Sequence, residues 1–134
     1  IQQTSDVTYR IYDFNRTDAQ GNKRELHVED AAEALDYKKY DEYKTRYADF
    51  VNVRNNIVDS KYFTTNKLKL STPFVIEPDR QSFRILIVVE GAITLKWKEG
   101  EDQLSMGEVV LLPASVNDMQ LIPTIPSEVL EVSA

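Results

Sequence analysis

Phe83-Arg-Ile-Leu-Ile-Val-Val-Glu-Gly-Ala-Ile-Thr-Leu-Lys-Trp97 is the stretch whose reading decides the fold. Its first half, Phe83 to Val89, is rich in β-branched residues and carries apolar side chains at both parities. That pattern suits a strand covered on both faces. Glu90-Gly91 then turns the chain, glycine tolerating backbone conformations that other residues resist. Beyond it Ile93, Leu95 and Trp97 alternate with Thr94, Lys96 and Lys98, the period of a strand with one buried face.

The same signals continue outward in both directions. Downstream, Glu99-Gly-Glu-Asp102 reads as a hairpin turn, and Leu104-Ser-Met106 leads through Gly107 to Val109-Val-Leu-Leu112 and Pro113. Met119 to Ile122 and Val129 to Val132 supply the last strands. Upstream, Tyr62-Phe-Thr-Thr-Asn-Lys-Leu-Lys-Leu70 alternates. Strands this short, recurring every 8–12 residues or so, predict an all-β sandwich or barrel.

Before Lys61 the chain changes character. Val28-Glu-Asp-Ala-Ala-Glu-Ala-Leu-Asp36 is the one helical pattern, with Val28, Ala31, Ala32 and Leu35 at i, i+3, i+4, i+7 spacing. Glu29 and Asp30 sit in its first turn, where the helix dipole favours acids. Residues 37–56 are polar, Tyr-rich and mixed in charge, and read as a solvated connector. Asp18-Ala-Gln-Gly-Asn22 is a turn by composition. Residues 2–14 alternate loosely and read as a strand, Val7, Tyr9 and Ile11 on one face, Thr8, Arg10 and Tyr12 on the other.

The 134 residues suffice for one domain with a real core. A net charge of −6 argues against nucleic acid and against an anionic membrane surface as partners. No apolar run approaches the roughly 18 residues of a membrane span. Without cysteine there are no disulfides and no thiolate metal sites, which fits a cytoplasmic protein. The chain starts at Ile1, inside what reads as a strand, so it is expected to be a piece of a longer protein.

Gln2-Gln-x-Ser-Asp-x-Thr-Tyr-Arg10-x-Tyr-Asp-x-x-Arg16, followed by Arg24-Glu-Leu-His27, resembles the signature of the short bacterial type I mannose-6-phosphate isomerases. The resemblance extends to Lys61-Tyr-Phe63 and to the C-terminal half. There, Gly91 after the Ile-Val-Val strand and Gly107-x5-Pro113 resemble a cupin, a small jelly-roll barrel. It implies that the chain is the C-terminal portion of such an enzyme. Residues 1–27 would be an extended, active-site-side segment from a preceding barrel. Residues 28–60 would be a helix and polar connector, and residues 61–134 a cupin-like jelly-roll barrel. The implied reaction interconverts mannose 6-phosphate and fructose 6-phosphate by zinc-assisted proton transfer.

Metal-binding cupins carry two His, a Glu and a further His at fixed distances from these glycines and the proline. Counting from Gly91 and Pro113 puts Arg84 at the Glu position, and Glu77 and Asp79, or Pro78 and Arg80, at the first two His positions. Asp118 falls at the last. None is the expected ligand type, so this barrel reads as metal-free. His27, the lone histidine, cannot build a site that needs about three or four protein ligands. The zinc ligands are therefore expected upstream of Ile1, with none in this chain, and the chain alone is expected to be inactive.

The resemblance assigns the catalytic role to Arg10, a cation for the oxyanion that develops in a cis-enediol intermediate. It associates Arg16 with the substrate phosphate, whose oxygens suit a guanidinium fork. On a strand the even separation of Arg10 and Arg16 would put both on one face. Ion pairing with Asp6, Asp13 or Asp18 is the alternative use of both arginines. Ser5 and Asp6 either orient Arg10 or end a turn. His27 reads as a helix cap, and Trp97 as packing rather than a sugar platform. A second function fits the same residues: a metal-free cupin module that binds a sugar or a protein without catalysis.

Overall fold

The computed structural model describes residues 7–77 and 81–134. The chain forms two compact units, Ile1–Tyr43 and Lys44–Ala134. Among the described residues no helix is long and apolar enough to cross a membrane.

The second unit holds nine strands among the described residues. They are β1 Arg54–Asp59, β2 Thr64–Leu70, β3 Phe74–Ile76, β4 Arg84–Glu90, β5 Ala92–Trp97, β6 Gly100–Ser105, β7 Val109–Leu112, β8 Met119–Pro123 and β9 Ser127–Ser133. All pair antiparallel, in one sheet of order β1-β2-β9-β4-β7 and another of order β3-β8-β5-β6. This is the double-sheet arrangement of a jelly roll. The strands expected from Tyr62 onward are present. β1 lies inside the stretch read as a connector, and the short β3 carried no separate signal.

Alternation builds the core. Leu68 and Leu70 on β2, Leu86 and Val88 on β4, Leu112 on β7 and Val129 on β9 face Ile76, Ile93, Leu95, Leu104, Met119 and Leu121 from the other sheet. Each fully buried Leu or Ile of this set contributes about 1.5–3 kcal/mol. Trp97 packs against the same cluster, as expected. β4 is less enclosed than its sequence suggested: Leu86 and Val88 are buried, while Ile85 and Ile87 on the opposite face stay half-buried.

The decisive stretch spans both sheets. β4 belongs to the five-stranded sheet and β5 to the four-stranded one, so Gly91 is the corner where the chain changes sheet. Its φ is 76°, and a Cβ there would lie 2.4 Å from Ser127 Oγ and 2.7 Å from the Pro126 carbonyl oxygen. Only glycine fits this corner. β5 and β6 then form a tight hairpin with Trp97 opposite Gly100.

At one end of the five-stranded sheet the inward row turns polar. Asn66, Glu131 and Leu86 stand side by side across β2, β9 and β4, so Glu131 points to the same face as the core leucine. Its side chain is 3% exposed. Arg54 Nε donates to Glu131 Oε2 at 2.6 Å and Arg54 Nη2 to Oε1 at 3.0 Å, a bidentate pair. Arg84 Nη1 lies 3.4 Å from Oε1 and Asn66 Nδ2 3.4 Å from Oε2. Hydrogen bonding to Glu131 raises the Arg54 pKa above its ordinary value, although partial burial opposes it. Arg54 also stacks over Phe74, its Cζ 5.1 Å from the ring centroid.

The first unit contains α1, Val28–Ala34. It stops two residues short of the expected end because Leu35 is extended, with φ −76° and ψ 136°. The strand expected over residues 2–14 does not form among its described residues. Val7, Tyr9, Ile11 and Tyr12 are exposed, so their alternation marks no buried face.

Two predictions follow from the barrel. Gly107 also has a positive φ, 92°, but faces open space. Gly107→Ala should cost only the left-handed backbone term, about 1–2 kcal/mol, and Gly91→Ala clearly more, as measured by urea unfolding; equal losses would contradict the corner. Glu131→Ala removes the acceptor of the Arg54 fork and the carboxylate beside Arg84, and should cost about 3 kcal/mol, the low end for a broken buried pair because Arg54 keeps partial solvent access and Arg84 keeps the Glu77 carbonyl. Unfolding within about 0.5 kcal/mol of the parent would show that the cluster is not a structural element.

Candidate functional site

In the first unit the chain from Arg10 to His27 folds back on itself without regular strands. Asp18 makes the return: its Oδ1 accepts from the backbone N–H of Gln20 at 2.9 Å and of Asn22 at 2.8 Å, the Asx geometry that suits Asp in turns. Gly21 N donates to the Asp18 carbonyl at 3.0 Å. Thr17 and Lys23 form an isolated antiparallel bridge. The expected turn at 18–22 is therefore present, and it brings Lys23-Arg-Glu-Leu-His27 alongside residues 10–16.

Residues of that returning segment hold the outgoing one, beginning with Lys23 Nζ, which donates to Asn15 Oδ1 at 3.2 Å. Arg24 Nε donates to Asp13 Oδ2 at 2.8 Å, and Arg24 Nη2 binds Asp13 Oδ1. The Glu25 carbonyl accepts from Arg10 Nη1 at 3.0 Å. Arg10 N–H donates to His27 Nδ1 at 3.1 Å, and His27 N–H donates to the Arg10 carbonyl at 2.8 Å. His27 stands at the helix N-cap, but its side chain makes no capping bond. The expected capping role gives way to the bond with Arg10.

Asp13 begins a tight turn closed by Arg16 N–H donating to the Asp13 carbonyl at 3.0 Å. Its central residues, Phe14 and Asn15, both have positive φ, 50° and 56°. A bulky residue in that region is strained, and strain of this kind collects at functional sites. Arg16 is exposed and its Cζ sits 5.7 Å from the Phe14 ring centroid. With no strand here, parity no longer places Arg10 and Arg16 on one face. Electrostatics links them instead. The Asp13 carboxyl is held below its ordinary range, first by the Arg24 hydrogen bond, with further help from the charges of Arg24, Arg10 and Arg16.

Among the described residues Arg24 takes both Asp13 oxygens; the alternative pairing of Arg10 or Arg16 with Asp6 falls outside them. Arg10 is half-buried and donates from Nη1, one of its five guanidinium N–H groups, to the Glu25 carbonyl. Ser5 and Asp6 lie outside the described residues. The contribution of Arg24 and His27 was not read from the sequence. Its only trace was the Arg-Glu-Leu-His run itself, whose spacing says nothing of what it touches.

At the barrel end, Arg84 occupies the cupin Glu-ligand position and meets Glu131 as described. Its Nη1 donates to the Glu77 carbonyl at 2.8 Å. Glu77 and Asp118 are exposed, and Asp118 has a left-handed backbone, φ 56°. Pro78, Asp79 and Arg80 lie outside the described residues. Among the described residues no three His, Cys, Asp or Glu side chains come together to hold a metal. Two guanidiniums around one carboxylate repel a dication, so these residues do not fit zinc. The cleft beside Arg84, between Ile76, Leu112 and Met119, encloses about 10 Å³, roughly the room of one water. A wider cleft, between Leu95, Trp97, Val110, Val116 and Met119, is apolar and carries no group to grip a sugar phosphate.

Residues 54–125 match the family model of the mannose-6-phosphate isomerase cupin domain. The chain is 32% identical over 123 residues to the putative mannose-6-phosphate isomerase YvyI of Bacillus subtilis, covering 90% of this chain and 38% of that protein. It superposes on the crystal structure of the mannose 6-phosphate isomerase from Bacillus subtilis with a TM-score of 0.72 at 29% identity, over 97% of this chain and 41% of that one. A cupin-2 domain protein from Shewanella frigidimarina gives a TM-score of 0.57 at 15% identity, covering 63% of this chain and 82% of that one, a likeness of fold alone. The chain spans about two fifths of the length of the isomerases it matches. A jelly roll with glycine corners and a match across more than half its length place this chain in the mannose-6-phosphate isomerase cupin domain family.

Proposed function

We propose that the intact protein containing this chain is a mannose-6-phosphate isomerase, an aldose–ketose isomerase that interconverts mannose 6-phosphate and fructose 6-phosphate. The observation that carries the reading is the reach of the similarity. Matches to proteins of that name cover 90% of this chain, well beyond the cupin-domain segment 54–125. The reaction moves a proton between C1 and C2, with zinc assisting and held by ligands upstream of Ile1. No residue set described here takes that metal, so no step is assigned to it in this chain.

Arg10 is the catalytic residue of this reading. As the C2 or C1 proton leaves, negative charge gathers on the neighbouring oxygen, and a fixed guanidinium stabilises it without reorganising. Arg16, exposed at the tip of the strained turn, takes the phosphate. The chain as a whole is acidic, at −6, so an anionic substrate needs local cations. Arg10, Arg16 and Arg24, whose charges act on Asp13, and Lys23, which donates to Asn15, supply them. Ser5 and Asp6 orient Arg10 in the same scheme, the barrel serves as scaffold, and the setting is cytoplasmic.

This chain by itself should bind no zinc tightly and turn over no sugar phosphate. Metal analysis after dialysis and a coupled isomerase assay check this, and stoichiometric metal or turnover would overturn it. In the intact enzyme, Arg10→Ala should lower kcat by roughly two to three orders of magnitude, or about 3–4 kcal/mol. Arg10→Lys should recover only part, because an ammonium cannot copy the planar fork. Near-parental kcat in folded Arg10→Ala of equal zinc content would remove Arg10 from the site.

A further inference from the structure

We propose that His27 is a positioning residue for Arg10, acting through its Nδ1 acceptor; the inference rests on the catalytic reading of Arg10. Among the described residues the segment that carries Arg10 belongs to no sheet ladder. His27 binds both backbone groups of Arg10, the N–H through its ring at 3.1 Å and the carbonyl through its own N–H at 2.8 Å. The ring bond requires a neutral imidazole with its proton on Nε2. The adjacent Glu25 carbonyl then fixes one end of the guanidinium at 3.0 Å. Together these three bonds define where the remaining donors of Arg10 point.

The ring does not serve the helix that follows it. Its acceptor reaches 17 residues back along the chain, and the cap makes no side-chain bond. Tyr9, next to Arg10, meets the ring edge-on with centroids 6.5 Å apart, which restrains its rotation. The requirement is thus for an acceptor at the Nδ1 position rather than for an imidazole as such. Asn places its Oδ1 close to where Nδ1 stands, whereas the longer Gln cannot.

The test uses His27→Ala, His27→Asn and His27→Gln in the intact enzyme, with Arg10→Ala alongside. His27→Ala and His27→Gln should lower kcat roughly ten- to a hundredfold with KM little changed, the scale of a small misplacement of a reacting group. His27→Asn should return kcat to within a few-fold of the parent. The double variant His27→Ala with Arg10→Ala should be no slower than Arg10→Ala alone, because the two act as one unit. On this chain, amide hydrogen exchange should show Arg10 N–H protected in the parent and in His27→Asn, and unprotected in His27→Ala. A slow Arg10→Ala with parental His27→Ala overturns the positioning role, as does unchanged protection of the Arg10 amide in His27→Ala. A parental Arg10→Ala overturns instead the catalytic reading beneath it, whatever the exchange data give.

Discussion

A carboxylate cannot be buried without partners, and Glu131 is the constraint around which the larger sheet is arranged. It lies on the central strand β9 and gathers Arg54 from β1, Arg84 from β4 and Asn66 from β2. Four of five strands are thereby tied across one inward row. A slip of one residue on β9 would turn Glu131 outward and Leu130 inward, taking the carboxylate away from both guanidiniums. Such clusters are weak sources of net stability but costly to break. Of its members, Arg84 is the one that falls at a position where the metal-binding cupin pattern has a ligand, and there it meets a carboxylate.

The first unit is organised on another principle. Its segment around Arg10 buries little and pairs with no strand, so side chains do the work that a ladder does elsewhere. Arg24 holds Asp13, the Glu25 carbonyl holds the Arg10 guanidinium, and His27 holds the Arg10 backbone. At the Phe14–Asn15 turn, strain projects Arg16 outward.

The parts of the fold that follow from apolar alternation were legible in the sequence. β2, β5 and β8 set alternating apolar residues against the core, and Gly91 marks a corner between sheets. β1 was not legible, because its buried residue is Asn55 rather than an apolar one. Asn55 is 2% exposed and satisfies the Phe50 N–H and carbonyl with its amide. A bulge between Asn56 and Val58 breaks the period further. Residues 7–13 misled in the opposite direction, alternating without burial. At the candidate site, the family resemblance pointed to Arg10 and Arg16, but the contacts of Arg24 and His27 depend on a loop closure that no local spacing encodes.

The central claim is that sugar-phosphate chemistry belongs to the Arg10 segment and that the barrel's ion cluster is structural. A crystal structure of the intact enzyme with fructose 6-phosphate bound tests it most directly. The account predicts the sugar's C1–C2 end within hydrogen-bond distance of the Arg10 guanidinium and the Arg54–Glu131–Arg84 cluster unchanged. A sugar phosphate seated at the barrel end, with Arg84 turned from Glu131 toward it, would contradict the account and favour a binding barrel without catalysis.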